Sequence, residues 1–199
     1  MKLVGITARV DEHTYDKERR ERRDALDQGW ASFLSYCGLV PVLLFNHMKT
    51  SLFLIRTLPL VGIIFSGGNT LQNYGGKTPE RDALEKAILD HAMPKRLPIL
   101  GVCHGMQIIQ HHFGGVLEIV PNHVGKHHAL CSGRMVNSYH TYGTRMTTPD
   151  LCVLEKTEDG VVEAVAHRAL PIKGLMWHPE RNLPVDEQDV ALFKRHFFI

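Results

Sequence analysis

The sequence has almost no excess of either charge. Lys+Arg 23 against Asp+Glu 21 leaves a formal net charge of +2 over 199 residues, too little to make nucleic acid or an anionic membrane the main partner, so any anion binding must be local. It also lacks a run approaching the roughly 18 consecutive apolar residues that a spanning helix requires, and it has no internal repeat, low-complexity tract or linker-like stretch. The opening residues, MKLVGITARV, carry one lysine and an apolar run broken by Gly5 and Thr7, without a small-residue cleavage site, and do not read as a signal peptide. Cysteine is sparse, with four residues at 37, 103, 131 and 152. A chain of this length buries a core without disulfides, so reduced thiols and a cytoplasmic location are expected. Hydrophobic residues at 44% and charged residues at 22% describe an ordinary globular chain that suits one domain over 1–199.

What is present alternates. Leu3 to Ile6, Leu39 to Phe45, Leu60 to Phe65 and Pro98 to Val102 read as strands. Between them, Asp24 to Tyr36 and Thr78 to Met93 place apolar residues at helical spacing. This β-α order implies a parallel, doubly wound α/β sheet. After residue 130 come shorter strand-like pieces, Gly133 to Tyr139, Cys152 to Glu155, Val161 to Ala166 and Ile172 to Trp177, and a mixed or antiparallel portion is expected there. A last helix, Val185 to Phe197, should pack Val190, Phe193 and Phe197 on the sheet.

Chemistry concentrates in LPILGVCHGMQ, residues 97 to 107: an apolar strand, a Gly-x-Cys-x-Gly turn and a helical run. Glycines two residues on either side permit a strained elbow that exposes Cys103 at a helix N-terminus. There the dipole and free N–H groups favour thiolate, and the His104 N–H faces a developing oxyanion. Cys37, Cys131 and Cys152 lack this frame and read as core residues. Of thirteen histidines, only His178 has a carboxylate locked beside it, in His178-Pro179-Glu180. Proline keeps His178 extended, residues two apart share a side, and Glu180 can hold the imidazole as base. After the strand ending at Phe65, Ser66-Gly67-Gly68-Asn69 offers the Gly68 N–H as second oxyanion donor.

Ser66-Gly-Gly-Asn69, Gly-Val-Cys103-His-Gly-Met-Gln107 and His178-Pro-Glu180, in that order, resemble the class I glutamine amidotransferase-like superfamily over essentially the whole chain. Thr78-Pro-Glu-Arg-Asp82 with Glu85, and Val136-Asn-Ser-Tyr-His140, resemble its γ-glutamyl-γ-aminobutyrate hydrolase branch, peptidase C26. The resemblance implies a flavodoxin-like fold and hydrolysis at a γ-glutamyl carbonyl. It also implies a substrate pocket lined by Gln107, Asn137, Ser138, Tyr139 and His140. The start of the chain, Ile6 to Val10, Tyr15, Glu18 and Arg23 to Trp30, is similar to the γ-glutamyl-CDP-amidate hydrolases of capsule phosphoramidate biosynthesis. His104 stands where the branch carries arginine.

The run Lys17 to Arg23 reads as a solvated helix face or loop. Its position after the first strand also puts it, with Arg9, at the sheet edge where open α/β folds bind ligands, suited to a diphosphate leaving group. His111-His112 and His123 with His127-His128 invite a metal reading, but lacking an i, i+4 pair with a carboxylate they read as surface or packing residues. The expectation is a hydrolase without metal or cofactor, acting on a small γ-glutamyl substrate such as a nucleotide amidate, with homo-oligomerisation left open. The alternatives are a glutaminase subunit feeding ammonia to a separate synthetase and a non-catalytic binding module.

Overall fold

The structure, a computed structural model, describes residues 1–16 and 19–197; Lys17 and Glu18 of the charged run lie outside the described residues. In chain order the elements are β1 (Lys2–Thr7), β2 (Arg9–Thr14), β3 (Arg20–Ala25), α1 (Gly29–Tyr36), β4 (Leu39–Leu44), α2 (Met48–Thr57), β5 (Leu60–Phe65), α3 (Pro79–Ala92), β6 (Ile99–Val102), α4 (His104–His112), β7 (Glu118–Ile119), β8 (Val124–Ala129), β9 (Met135–Tyr139), β10 (Tyr142–Gly143), β11 (Leu151–Lys156), β12 (Val162–His167), β13 (Ile172–Leu175) and α5 (Glu187–His196). Single 3-10 turns lie at Gln72–Tyr74 and Pro179–Arg181.

Seven strands form the central sheet in the order β11-β12-β13-β6-β5-β1-β4. From β4 through β1, β5 and β6 to β13 the pairing is parallel, and β12 and β11 add antiparallel strands at one side. This is the doubly wound, mostly parallel flavodoxin-like sheet that the alternating sequence implies. Along β5, Ile63 and Phe65 face one core with Leu84 and Ile88 of α3 and Ile109 of α4. Ile64 faces the opposite core with Trp30 and Phe33 of α1 and Phe193 and Phe197 at the end of the chain's last helix. The period-two alternation of a strand thus feeds helices on both faces.

Three expectations change. The helix expected from Asp24 begins at Gly29, because Arg20–Ala25 pairs antiparallel with Arg9–Thr14. From Arg20 on, the charged run is therefore one strand of a hairpin, and its charges find partners: Arg22 pairs with Glu12 and Glu80, and Arg23 with Glu21. Second, α2 and β8 were not legible; β8, VGKHHA, is largely exposed and has no apolar alternation to betray it. Third, Cys37 is a core residue whose thiol is pushed up to about 12 by burial, whereas Cys131 is exposed and Cys152 half-buried.

The carboxyl ends of β1, β5, β6 and β13 bring Arg9, the 66–69 loop, Cys103 and His178 to one edge of the sheet, the place where open α/β folds hold ligands.

Candidate active site

Cys103 caps α4 with φ 53° and ψ −104°, a conformation costly for a residue with a Cβ and held only where surroundings over-determine it. Its N–H donates to Leu175 O at 2.7 Å and its carbonyl accepts from Gln107 N–H at 3.0 Å. The strain therefore sits on the cysteine itself, and the flanking glycines serve differently from the expectation. A Cβ on Gly101 would lie 2.3 Å from the Gly105 carbonyl, and one on Gly105 would lie 2.3 Å from Phe65 O. Their missing side chains let β6, α4 and β5 close on one another. The residue is 7% exposed, so it opens into a cavity and not onto the surface.

His178 follows β13 and is fixed along its backbone. Asn137 Oδ1 accepts from the His178 N–H and Asn137 Nδ2 donates to the His178 carbonyl, both at 2.8 Å. The preceding Trp177 indole donates to Asp189 at 3.0 Å. His178 Nδ1 lies 2.6 Å from Glu180 Oε1. His178 is extended, as Pro179 requires, but the chain then turns in a 3-10 turn, and that turn, not continued extension, returns Glu180 to the ring. A Cβ at Gly67 would stand 2.4 Å from His178 Cε1, so glycine there gives the imidazole its room. Burial lowers the His178 pKa, but the neighbouring Cys103 sulfur and Glu180 carboxylate outweigh it and raise it to about 9. A sulfur and a carboxylate thus flank an imidazole that favours its protonated form at neutral pH.

The 66–69 loop is held from beneath by Arg81, fully buried on α3. Its Nη1 donates to the carbonyls of Gly67 and Gly68 and to Asn69 Oδ1, and its Nη2 to Ser66 O. Arg81 Nε donates to Glu85 at 3.2 Å. Glu85 also accepts from Thr7 Oγ1 at 2.7 Å and lies 3.1 Å from His104 Nε2. Burial pushes the Glu85 carboxyl up, yet Arg81, His104 and Thr7 hold it down at about 2. The His104 side chain thus joins this buried network and ties the start of α4 to the support of the loop. Breaking a buried pair by removing one partner costs about 3–5 kcal/mol. Glu85→Ala is therefore expected to lower the unfolding free energy by that amount in urea titrations, and a loss below about 1 kcal/mol would show that the network is no strut.

A cavity of about 250 Å³ is lined by Gly68, Cys103, Gln107, Tyr139, His140 and His178, with Arg181 at its side. Glu180 and the His104 side chain lie behind it. Asn137 and Ser138, expected to line it, turn their side chains elsewhere: Asn137 clamps His178, and Ser138 Oγ donates to His123 O at 2.7 Å. Arg9 lines a narrow cleft on another side of His178 and is engaged bidentately by Asp11 at 3.0 and 3.2 Å. Gln107 donates to Tyr142 O at 2.9 Å. Sequence reading missed Arg181, whose guanidinium lies 4.7 Å over the Tyr139 ring; its place directly after His-Pro-Glu was the available signal. Arg81 and Glu85, one helical turn apart, could have been recognised as a pair on one face. Among the described residues no helix is long and apolar enough to cross a membrane.

A parallel sheet with a strained cysteine at a strand-to-helix elbow, and histidine and glutamate delivered from a neighbouring strand end, defines a chain of the glutamine amidotransferase-like class. The family model of peptidase C26 matches residues 2–130 and 116–180, and the chain belongs to that family. It is 30% identical over 189 residues, 90% of each chain, to a γ-glutamyl-CDP-amidate hydrolase of Campylobacter jejuni. To a γ-glutamyl-γ-aminobutyrate hydrolase of Escherichia coli O157:H7 it is 28% identical over 200 residues, 79% of each chain. A solved structure from Thermoplasma acidophilum, described as one of the subunits of a GMP synthase, shares the fold with a TM-score of 0.73 and 17% identity, covering 100% of this chain and 93% of that one.

Proposed function

We propose that this chain is a cysteine-dependent hydrolase of γ-glutamyl amides, with Cys103, His178 and Glu180 as its triad and γ-glutamyl-CDP-amidate as its substrate. The observation that carries the reading is His178, which shares the cavity with Cys103 and is hydrogen-bonded through Nδ1 to Glu180. The Campylobacter jejuni relative supports the substrate. Four unpaired cysteines suit a reducing, cytoplasmic setting.

In this mechanism the Cys103 sulfur attacks the γ-carbonyl carbon, and the N–H groups of Gly68 and His104 hold the oxyanion. The tetrahedral intermediate collapses as His178 hands its proton to the leaving nitrogen, breaking the C–N bond and leaving a glutamyl thioester. Water, deprotonated by the same imidazole, attacks the thioester; glutamate departs and the sulfur is regenerated. Glu180 keeps the ring oriented and stabilises its charge.

The cavity of about 250 Å³ is smaller than the roughly 300–1,000 Å³ of sites that enclose a whole ligand, so it suits the glutamyl half. The leaving group then passes Arg181 and Tyr139 at the side of the cavity. Arg181 is the cation at the side of this cavity: its Nε lies 3.7 Å from Asp27 Oδ2 and from Glu180 Oε1, a looser hold than the bidentate grip of Asp11 on Arg9 at 3.0 and 3.2 Å. A charge-assisted contact is worth about 1.5–3 kcal/mol, roughly tenfold to more than a hundredfold in kcat/KM. Arg181→Ala should therefore lose that factor on γ-glutamyl-CDP-amidate and change little on glutamine or γ-glutamyl-γ-aminobutyrate, measured as steady-state glutamate release. Equal loss on all three would remove the leaving-group role. If the nucleotide compound is no better than glutamine, the specific substrate fails and only the γ-glutamyl amide reading stands.

A further inference from the structure

Beside the cavity, which His140 also lines, three side chains converge that neither the triad nor the loop network uses. His123 precedes β8, His140 follows β9 and Glu163 lies in β12; they are 1%, 2% and 0% exposed. His123 Nδ1 is 3.2 Å from His140 Nε2 and 3.5 Å from Glu163 Oε1, and His140 Nε2 is 3.2 Å from the same oxygen.

The outer partners fix what these atoms present to one another. His140 Nδ1 lies 3.1 Å from the Tyr142 carbonyl oxygen, which can only accept, so that nitrogen carries the ring hydrogen. His123 Nε2 lies 3.2 Å from Asp159 Oδ2, a carboxylate, and carries its hydrogen for the same reason. In the neutral rings, both remaining nitrogens turn lone pairs toward each other and toward the Glu163 carboxylate. Three electron-pair donors facing inward need either a ring proton or a metal cation between them. Nitrogen and oxygen ligands about 2.0–2.1 Å from a tetrahedral zinc stand about 3.3–3.4 Å apart, the size of this triangle. Glu163 Oε2 is buried without a hydrogen-bond partner, and a proton shared between the rings would leave it so. A cavity of about 490 Å³, lined by His123, His128 and Asp159 among others, leads in from the surface.

We propose that His123, His140 and Glu163 bind a divalent metal ion of the zinc type, with Asp159 and the Tyr142 carbonyl as the outer partners that set the ring tautomers. The site ties the β8–β9 hairpin to β12. It takes no part in the hydrolytic steps, and its role is to hold the segment that carries Tyr139 and His140.

The test uses full-length, tag-free protein freed of metal by chelator and dialysed, then titrated with zinc alone at neutral pH. One equivalent should bind, and at a hundredfold excess over Kd the Tm should rise by about 5–10 °C. Glu163→Gln and His123→Asn should abolish the stoichiometric binding, and Asp159→Asn should weaken it about 10- to 100-fold. Cobalt(II) in the same site should show tetrahedral d–d absorption without a thiolate charge-transfer band. No stoichiometric zinc on folded wild type would show that a proton fills the triangle and would overturn the proposal. Unchanged binding in folded Glu163→Gln, or a thiolate band, would overturn it as well.

Discussion

Cys103→Ala is expected to reduce glutamate release from every γ-glutamyl substrate by about 10⁴- to 10⁶-fold, to the level that binding and the oxyanion donors alone sustain. In the proposed mechanism the side chain supplies the covalent step, and its truncation should disturb packing little: it is small, at a helix cap, and opens into the cavity. The variant should keep its circular dichroism and bind substrate with nearly wild-type affinity. Comparison of turnover with calorimetric binding separates a lost nucleophile from a lost fold. Substantial turnover in folded Cys103→Ala would remove the covalent mechanism.

His178→Ala is expected to lose on the order of a thousandfold or more in kcat, because triad members act as a unit. Some of that loss should return with added imidazole, a rescue that damage to packing would not give. Glu180→Gln should be milder, since in the proposed mechanism the residue orients and stabilises the imidazole but does not react. The pH dependence has a definite sign. The His178 pKa is raised in the folded protein to about 9, above the ordinary histidine value of about 6.5. Its protonated form therefore contributes stability that is complete below about pH 6.5 and is lost as pH rises toward 9. In the proposed mechanism leaving-group protonation needs the same imidazolium, so kcat/KM should fall through about pH 9. Glu180→Gln removes one of the two groups that raise the value and should move this alkaline limb to lower pH. An unshifted limb in that variant would detach Glu180 from the triad.

How much of this was legible in the sequence depends on what each feature needed. The central strands were readable because parallel strands buried on both faces are continuous apolar runs. The elbow and His178-Pro-Glu180 were readable because their signals are local: glycines on either side of the cysteine, which admit the close packing of β6, α4 and β5, and a proline that holds His178 extended. The hairpin of β2 and β3 was not, since a run of Arg and Glu reads as a solvated helix face or loop until its partners, Glu12 across the hairpin and Glu80 on α3, are known. Asn137 was placed at the substrate by resemblance, but its side chain spans to His178, 41 positions away. Glu163 joined His123 and His140 only through the pairing of β12 in the sheet, a long-range contact that local spacing cannot announce. Arg81 shows the same limit: its spacing to Glu85 is local, but its grip on the 66–69 loop is tertiary.

The most direct measurement is covalent labelling with a glutamine analogue that carries a chloroketone at the γ-position, followed by peptide mapping and assay. The account predicts one equivalent on Cys103 in step with loss of glutamate release, protection by glutamate, and no stoichiometric label on folded Cys103→Ala. Label on the exposed Cys131 with Cys103 untouched, or full turnover by protein labelled at Cys103, would contradict it.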